Sequence, residues 1–283
     1  MQVEFVKMQG IGNDFVVLDA RPGGSAAGLD LTPAQARHIA DRHFGIGCDQ
    51  ILIIAPSQDA DITMHIMNSD GSMAAACGNG SRCVADLVMA ETGADTLSMD
   101  TKGGIINAWR HHDQALGHLV SIDMGAAKCD WADIPLAHAM DTMAIDLGQD
   151  HLPPAIGVNM GNPHAVHIVD DAEAIDLAGL GPVLEHHPLF PDRANIEFIS
   201  LMAKDHIRMR VWERGSGITI ACGTGACASA VAAARAGLTG RQVKVQLDGG
   251  VLAIDWQDNG HVMMTGPSET SFHGVITLDQ DQA

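Results

Sequence analysis

Apolar residues along this chain gather in short runs, some alternating with polar positions and some continuous, and glycine-bearing turns separate them. Residues 3–6 and 15–19 read as strands around a loop, Gln9-Gly10-Ile11-Gly12-Asn13-Asp14, and residues 51–54 and 62–67 read as two more. Between these pairs, Thr32-Pro33-Ala34-Gln35 has the form of a capping box with proline at the first helical position. It predicts a helix from Pro33 to about Phe44, stopping near Gly45. A second helix is expected over residues 79–91, with Gly93 as its stop. Further on come a strand over 208–212, a polar loop, and a short piece over 219–221. A helix then runs to about Ala236, with Gly237 after it. Residues 176–187 predict another helix, interrupted near Gly181-Pro182, and four strand-like pieces follow at 243–247, 251–255, 261–265 and 274–278. Many strands with few helices predict an α+β protein.

The pattern repeats itself. Ala76-Cys77-Gly78-Asn79-Gly80 and Ala221-Cys222-Gly223-Thr224-Gly225 each place a cysteine before a glycine-rich turn that opens a helix. Nine positions before each cysteine stand Asn68 and Glu213, and 27 before stand Gln50 and Asn195, each followed by an apolar stretch. Gly12-Asn13 and Gly161-Asn162 lie further upstream at nearly matching distances. Fixed self-similarity marks a duplicated architecture. Two related lobes are expected, each presenting one thiol at one helix N-terminus.

Composition narrows the partners. A chain of 283 residues accommodates two modest domains with buried cores. Its net charge of −19 argues against nucleic acid and against anionic membrane surfaces. No run approaches the roughly 18 apolar residues of a membrane span, and the N-terminus lacks a basic stretch followed by an apolar core. Six cysteines in a chain this long, without a leader, fit free thiols in a reducing cytoplasm.

A free thiol titrates near 8.5 and is mostly protonated at neutral pH, whereas a helix N-terminus favours the thiolate. The same backbone N–H groups hold an anion such as a carboxylate, and Gly78, Gly80, Gly223 and Gly225 let backbone approach it closely. One thiolate and one thiol on opposite faces of an α-carbon make a two-base racemase or epimerase, which needs neither metal nor pyridoxal phosphate. Zinc is a rival through Cys77 with Cys83 and Cys222 with Cys227, at spacings too loose for the usual knuckles. A redox site is another, without a Cys-x-x-Cys to support it. Asn13, Gln50, Asn68, Asn162 and Asn195 are turn formers in the bland reading and the lining of a polar cleft in the functional one. Glu213-Arg214 offers an anion for an ammonium and a cation for a carboxylate, and His164 is placed to orient a cysteine proton.

Several motifs resemble the diaminopimelate epimerase family in its own order. They are Gly10-Ile11-Gly12-Asn13-Asp14-Phe15, Asn68-Ser69-Asp70-Gly71-Ser72, Cys77-Gly78-Asn79-Gly80-Ser81-Arg82-Cys83 and Gly161-Asn162-Pro163-His164. Asn195-Ile196-Glu197-Phe198 and Glu213-Arg214-Gly215-Ser216-Gly217-Ile218-Thr219, running on to Cys222-Gly223-Thr224-Gly225, complete the set. The resemblance implies two pseudo-symmetric lobes, each a mixed or antiparallel β-structure wrapped around a central helix, with the site between them. Residues 1–117, joined by a returning strand at 268–283, would form one lobe, and residues 118–267 the other. It also implies cofactor-independent interconversion of LL- and meso-2,6-diaminoheptanedioate by a pair of acid–base thiols, Cys77 and Cys222, in a cytoplasmic homodimer. Gly78, Asn79, Gly223 and Thr224 would hold the reacting carboxylate. Asn13, Gln50, Asn68, Asn162, Asn195 and Arg214 would bind the substrate, Glu213 would meet an ammonium, and His164 and Glu213 would tune the thiols. Phe272 stands where the family commonly has a tyrosine at its dimer contact. A proline-type racemase on the same fold and a non-catalytic amino-acid-binding protein are the alternatives.

Overall fold

A computed structural model describes residues 1–113 and 117–278. The chain divides into two compact units, one of residues 1–122 with the segment from Gly266 onward, the other of Asp123–Thr265. In the first unit, β1 (Gln2–Gly10) and β2 (Asn13–Asp19) form an antiparallel hairpin, and α1 (Pro33–Ala40) crosses to β3 (Gln50–Ala55), which lies parallel to β2. Next come β4 (Ile62–Asn68), antiparallel to β3, and the short β5 (Met73–Ala74). The helix α2 (Gly78–Thr92) leads to β6 (Thr96–Thr101), parallel to β4, then to the antiparallel β7 (Gly104–Asp113) and β8 (Gly117–Ala126).

The second unit repeats this order. An antiparallel pair, β9 (Ile156–Asn159) and β10 (Pro163–Ile168), is followed by α3 (Leu177–Glu185) and by β11 (Asn195–Ala203), parallel to β10. Then come β12 (His206–Glu213), antiparallel to β11, the short β13 (Gly217–Ile218) and α4 (Gly223–Arg235). After α4, β14 (Gln242–Gln246) runs parallel to β12, and β15 (Val251–Trp256) and β16 (His261–Pro267) follow as antiparallel neighbours. The last strand, β17 (Glu269–Thr277), pairs antiparallel with β1. Residues 279–283 of the returning segment lie outside the described residues.

Each unit packs its strands around its long helix, α2 against β1, β2, β3, β6 and β7, and α4 against β9, β10, β11, β12, β14 and β15. The sequence of α4 explains how. Ala226, Cys227, Ala228, Ser229, Ala230, Val231, Ala232 and Ala233 are all buried, and side chains this small let strands approach from every side. In α2 the larger Val84, Val88 and Met89 fill the space, each contributing about 1.5–3 kcal/mol by burial. Gly93 closes α2 in the left-handed conformation (φ +74°) with its N–H on the Met89 carbonyl.

Two expectations are corrected. The helix begun by the Thr32 capping box ends at Ala40, short of Phe44, because the Asp41 carboxylate accepts the His43 and Phe44 N–H groups and turns the chain out of the helix. Gly45 then passes so close to α1 that a Cβ there would lie 1.8 Å from the His38 carbonyl oxygen. The break expected at Gly181-Pro182 is absent, and α3 runs continuously with Pro182 inside it. Gly181 serves packing instead, since a Cβ would meet the Trp212 ring at 2.4 Å.

Candidate active site

Each proposed catalytic cysteine is the N-cap of its unit's long helix. Cys77 and Cys222 have extended backbone (φ −152° and −123°), and each sulfur accepts the N–H three residues on, Gly80 or Gly225, at 3.4 Å. Serine or asparagine would ordinarily fill this position, satisfying one of the orphan donors of the first turn. A sulfur here is a weaker cap, but it places a reactive atom at the positive end of the helix dipole. The glycines are demanded by proximity. A Cβ on Gly80 would lie 3.1 Å from the Leu52 methyls, and one on Gly225 would lie 2.9 Å from Glu197 Oε1 and 3.1 Å from Cys222 Sγ.

In the first unit the structure gathers Asn13, Cys77 and Asn79. The Cys77 sulfur lies 3.9 Å from Asn13 Oδ1, and Asn79 Nδ2 donates to that oxygen at 3.3 Å. Asn79 is buried, and its own Oδ1 has no partner among the described residues. Asn13 Nδ2 donates to Asp49 Oδ2 at 2.7 Å, which fixes the amide with its oxygen toward the thiol. Asp49 is held in turn by Arg42, which also forks onto Asp14, and Asp14 accepts from Lys7 at 2.5 Å. Burial pushes the Asp14 carboxyl up, but Arg42 and Lys7 outweigh it and leave the pKa at about 2. Gln50 and Asn68 face each other across β3 and β4, joined by a 2.8 Å Nε2–Oδ1 hydrogen bond, and Asn68 Nδ2 continues to Ser72.

The second unit places Asn162, His164, Asn195, Glu213, Arg214, Cys222, Gly223 and Thr224 at the ends of β9–β13 and the start of α4. His164 is fully buried, with Nδ1 2.6 Å from Glu197 Oε1 and Nε2 2.9 Å from Asn162 Oδ1. Asn195 spends both ends of its amide on backbone, Nδ2 donating to the Pro163 carbonyl and Oδ1 accepting from Arg214 N. The Arg214 guanidinium donates to the Asp192 carbonyl at 2.9 Å. Thr219 donates its hydroxyl to Glu213 Oε1, and Thr224 Oγ1 lies 3.7 Å from the Cys222 sulfur.

Three contributors were not singled out from the sequence. Glu197 sat inside an apolar stretch, where a carboxylate between Ile196 and Phe198 was the available signal. Glu185, nearly buried, accepts from Trp212 Nε1 (2.7 Å) and Gly215 N (3.0 Å) and so holds the Glu213-Arg214 turn. Asp49 announced itself only by its neighbour, Gln50.

The electrostatics of Cys222 run against the simple helix-dipole expectation. Burial pushes its thiol well above the usual range, and the Glu213 carboxylate pushes further, as Glu197 would when ionised, while the Gly225 N–H and Thr224 hydroxyl only partly offset them. In this environment the thiol is the resting form. Burial raises two further thiols, Cys48 to about 11 and Cys83 to about 12.

The family model described as diaminopimelate epimerase matches residues 5–129 and 156–271. The diaminopimelate epimerase of Rhodospirillum centenum is 55% identical over 275 residues, spanning 96% of this chain and 92% of that protein. That of Acidiphilium cryptum is 50% identical over 273 residues, spanning 96% and 95%. A phenazine biosynthesis protein from Bacillus anthracis shares the fold at 16% identity, with a TM-score of 0.70 over 98% of this chain and 100% of that one. Two matched units, each with a cysteine capping its central helix, and identity of this depth along nearly the whole length make the chain a member of the diaminopimelate epimerase family.

Proposed function

We propose that the protein interconverts LL- and meso-2,6-diaminoheptanedioate, an isomerisation of lysine and peptidoglycan precursor synthesis, by a two-base thiol mechanism. The observation that carries the reading is the pair of thiols, Cys77 and Cys222, each capping a helix in a matched unit. Inversion at an α-carbon needs an acid–base group for each face. One sulfur, as thiolate, removes the α-proton. The other, as thiol, delivers its proton to the planar carbanion, and the roles exchange in the reverse direction. The N–H groups of Gly78, Asn79, Gly223 and Thr224 stabilise the negative charge that develops on the reacting carboxylate.

Asn13, Gln50, Asn68, Asn162, Asn195 and Arg214 bind the rest of the substrate in this reading, and Glu213 meets an ammonium group and, with His164, tunes the thiols. The protein works as a cytoplasmic homodimer. Phe272, exposed on β17 and edge-to-face with Phe5 at 5.9 Å, supports a contact through that strand, and sedimentation at graded concentrations tests it. No described helix is long and apolar enough to cross a membrane. Chiral chromatography of LL-diaminopimelate incubated with the reduced protein tests the activity. Accumulation of the meso isomer is expected, and an unchanged substrate with the thiols verified free would overturn the assignment.

A further inference from the structure

The second unit contains a buried acid that the mechanism above does not use. Glu197 and His164 both have fully buried side chains, and Glu197 Oε1 lies 2.6 Å from His164 Nδ1. The other carboxyl oxygen, Oε2, is buried with no hydrogen-bond partner among the described residues. An ionised carboxylate with an unsatisfied oxygen in such a place is costly, and an imidazolium–carboxylate pair would bury two charges where one neutral pair suffices. The other charged groups that bear on Glu197 and its neighbour Cys222 are acidic, Glu213 beside both and the Cys222 sulfur itself when ionised. Burial pushes the Glu197 carboxyl up by more than His164 draws it down, and Glu213 pushes it higher.

We propose that Glu197 is a positioning residue of the reaction: as the neutral acid it donates its proton to His164 Nδ1, which holds the imidazole in the Nε2–H tautomer and fixes the amide of Asn162. The proposal rests on the epimerase reading. The chain of hydrogen bonds has one polarity. The acid O–H donates to Nδ1, so the ring proton sits on Nε2, and that N–H donates to Asn162 Oδ1 at 2.9 Å. Asn162 Nδ2 is then the free end, without a protein partner among the described residues, and it offers donors to a substrate carboxylate. The first unit sets the matching asparagine the other way. Asp49 accepts from Asn13 Nδ2 and leaves Oδ1 as the presented atom. Two asparagines at repeated positions therefore offer opposite ends, an acceptor in the first unit and a donor in the second. A neutral Glu197 also spares Cys222 a second anion beside Glu213 when its thiolate forms.

The test is the tautomer itself, read by long-range proton–nitrogen NMR on protein with nitrogen-15 histidine, the His164 signal being identified by its loss in His164→Gln. A protonated Nε2 with a bare Nδ1 at neutral pH is expected. An imidazolium, or a proton on Nδ1, would overturn the proposal. This readout needs no turnover, so it fails separately from the assigned activity. In kinetics, Glu197→Leu should raise KM for diaminopimelate tenfold or more with a smaller loss in kcat. Glu197→Gln, whose amide N–H replaces the acid O–H, should restore most of it and keep the Nε2–H tautomer. A Glu197→Gln protein as impaired as Glu197→Leu would show that the negative charge is what matters and contradict the neutral acid.

Discussion

Beneath Gly80 in the first unit lie the methyl groups of Leu52, and beneath Gly225 in the second lies the carboxyl of Glu197. The two positions correspond, each two residues past the repeated Gln50 or Asn195 on a strand parallel to its neighbour. Their cross-strand partners differ in the same sense, Phe15 aligning with Gln50 where His164 aligns with Asn195. Two units with one topology and one thiol cap thus rest on different floors, the buried apolar Phe15 and Leu52 in one and a hydrogen-bonded His164–Glu197 pair in the other. Duplication supplies both thiols, and the floors distinguish them. The second sulfur is buried where the first is only partly so, and burial with the nearby Glu213 keeps it protonated at rest.

The largest effect should show no asymmetry. Cys77→Ala and Cys222→Ala each remove the group for one face, and each should lower epimerisation at least about a thousandfold. Near-normal turnover in either variant would break the pairing of the two units. Asymmetry should appear one layer below. Gly225→Ala drives a Cβ into the Glu197 carboxyl and the Cys222 sulfur and should cost about 2–3 kcal/mol in chemical denaturation. Gly80→Ala meets only the flexible ends of Leu52 at 3.1 Å and should cost about 1 kcal/mol or less. Equal costs would mean that the floors do not differ in rigidity.

Replacing the polar floor whole is gentler than breaking it. The double variant His164→Phe/Glu197→Leu copies the first unit, and its stability should stay within about 2 kcal/mol of the parent while turnover falls. Retained turnover would show the polar floor to be dispensable. The smallest effect is a shift in titration. Alkylation of Cys222 by iodoacetamide, followed by peptide mass spectrometry, should rise with pH only above the ordinary thiol range. In Glu213→Gln, with one anion removed, the profile should move to lower pH. An unmoved profile would remove Glu213 from the electrostatics of that sulfur.

Much of this comparison could be read in the chain before its structure. The Cys-Gly-x-Gly repeat located both helix starts to within a residue, because an N-terminus is a local event written in caps and glycines. Local rules failed where tertiary contacts decided. Proline at 182 reads as a break, yet α3 continues because Gly181 admits the Trp212 ring against it. Strands β6 to β8 escaped notice because their polar positions dilute the apolar alternation, as in Thr96–Thr101 with only every second side chain buried. Glu197 is the instructive miss. A glutamate within Ile196–Ile199 looks like the polar member of an alternating strand, but all four side chains are buried and the strand is covered on both faces. The repeat, aligning Glu197 with Leu52, is what sharpens that signal and marks it as out of place.

The most direct test of two thiols acting on two faces is the isotope content of the first product formed in deuterium oxide. Starting from LL-diaminopimelate with protein exchanged into that solvent, the thiol on the product side carries deuterium. The first meso-diaminopimelate should therefore hold deuterium at the inverted carbon, while unreacted LL substrate keeps its proton. Product that retains the substrate's own α-proton would point to a single base working both faces and would contradict the account.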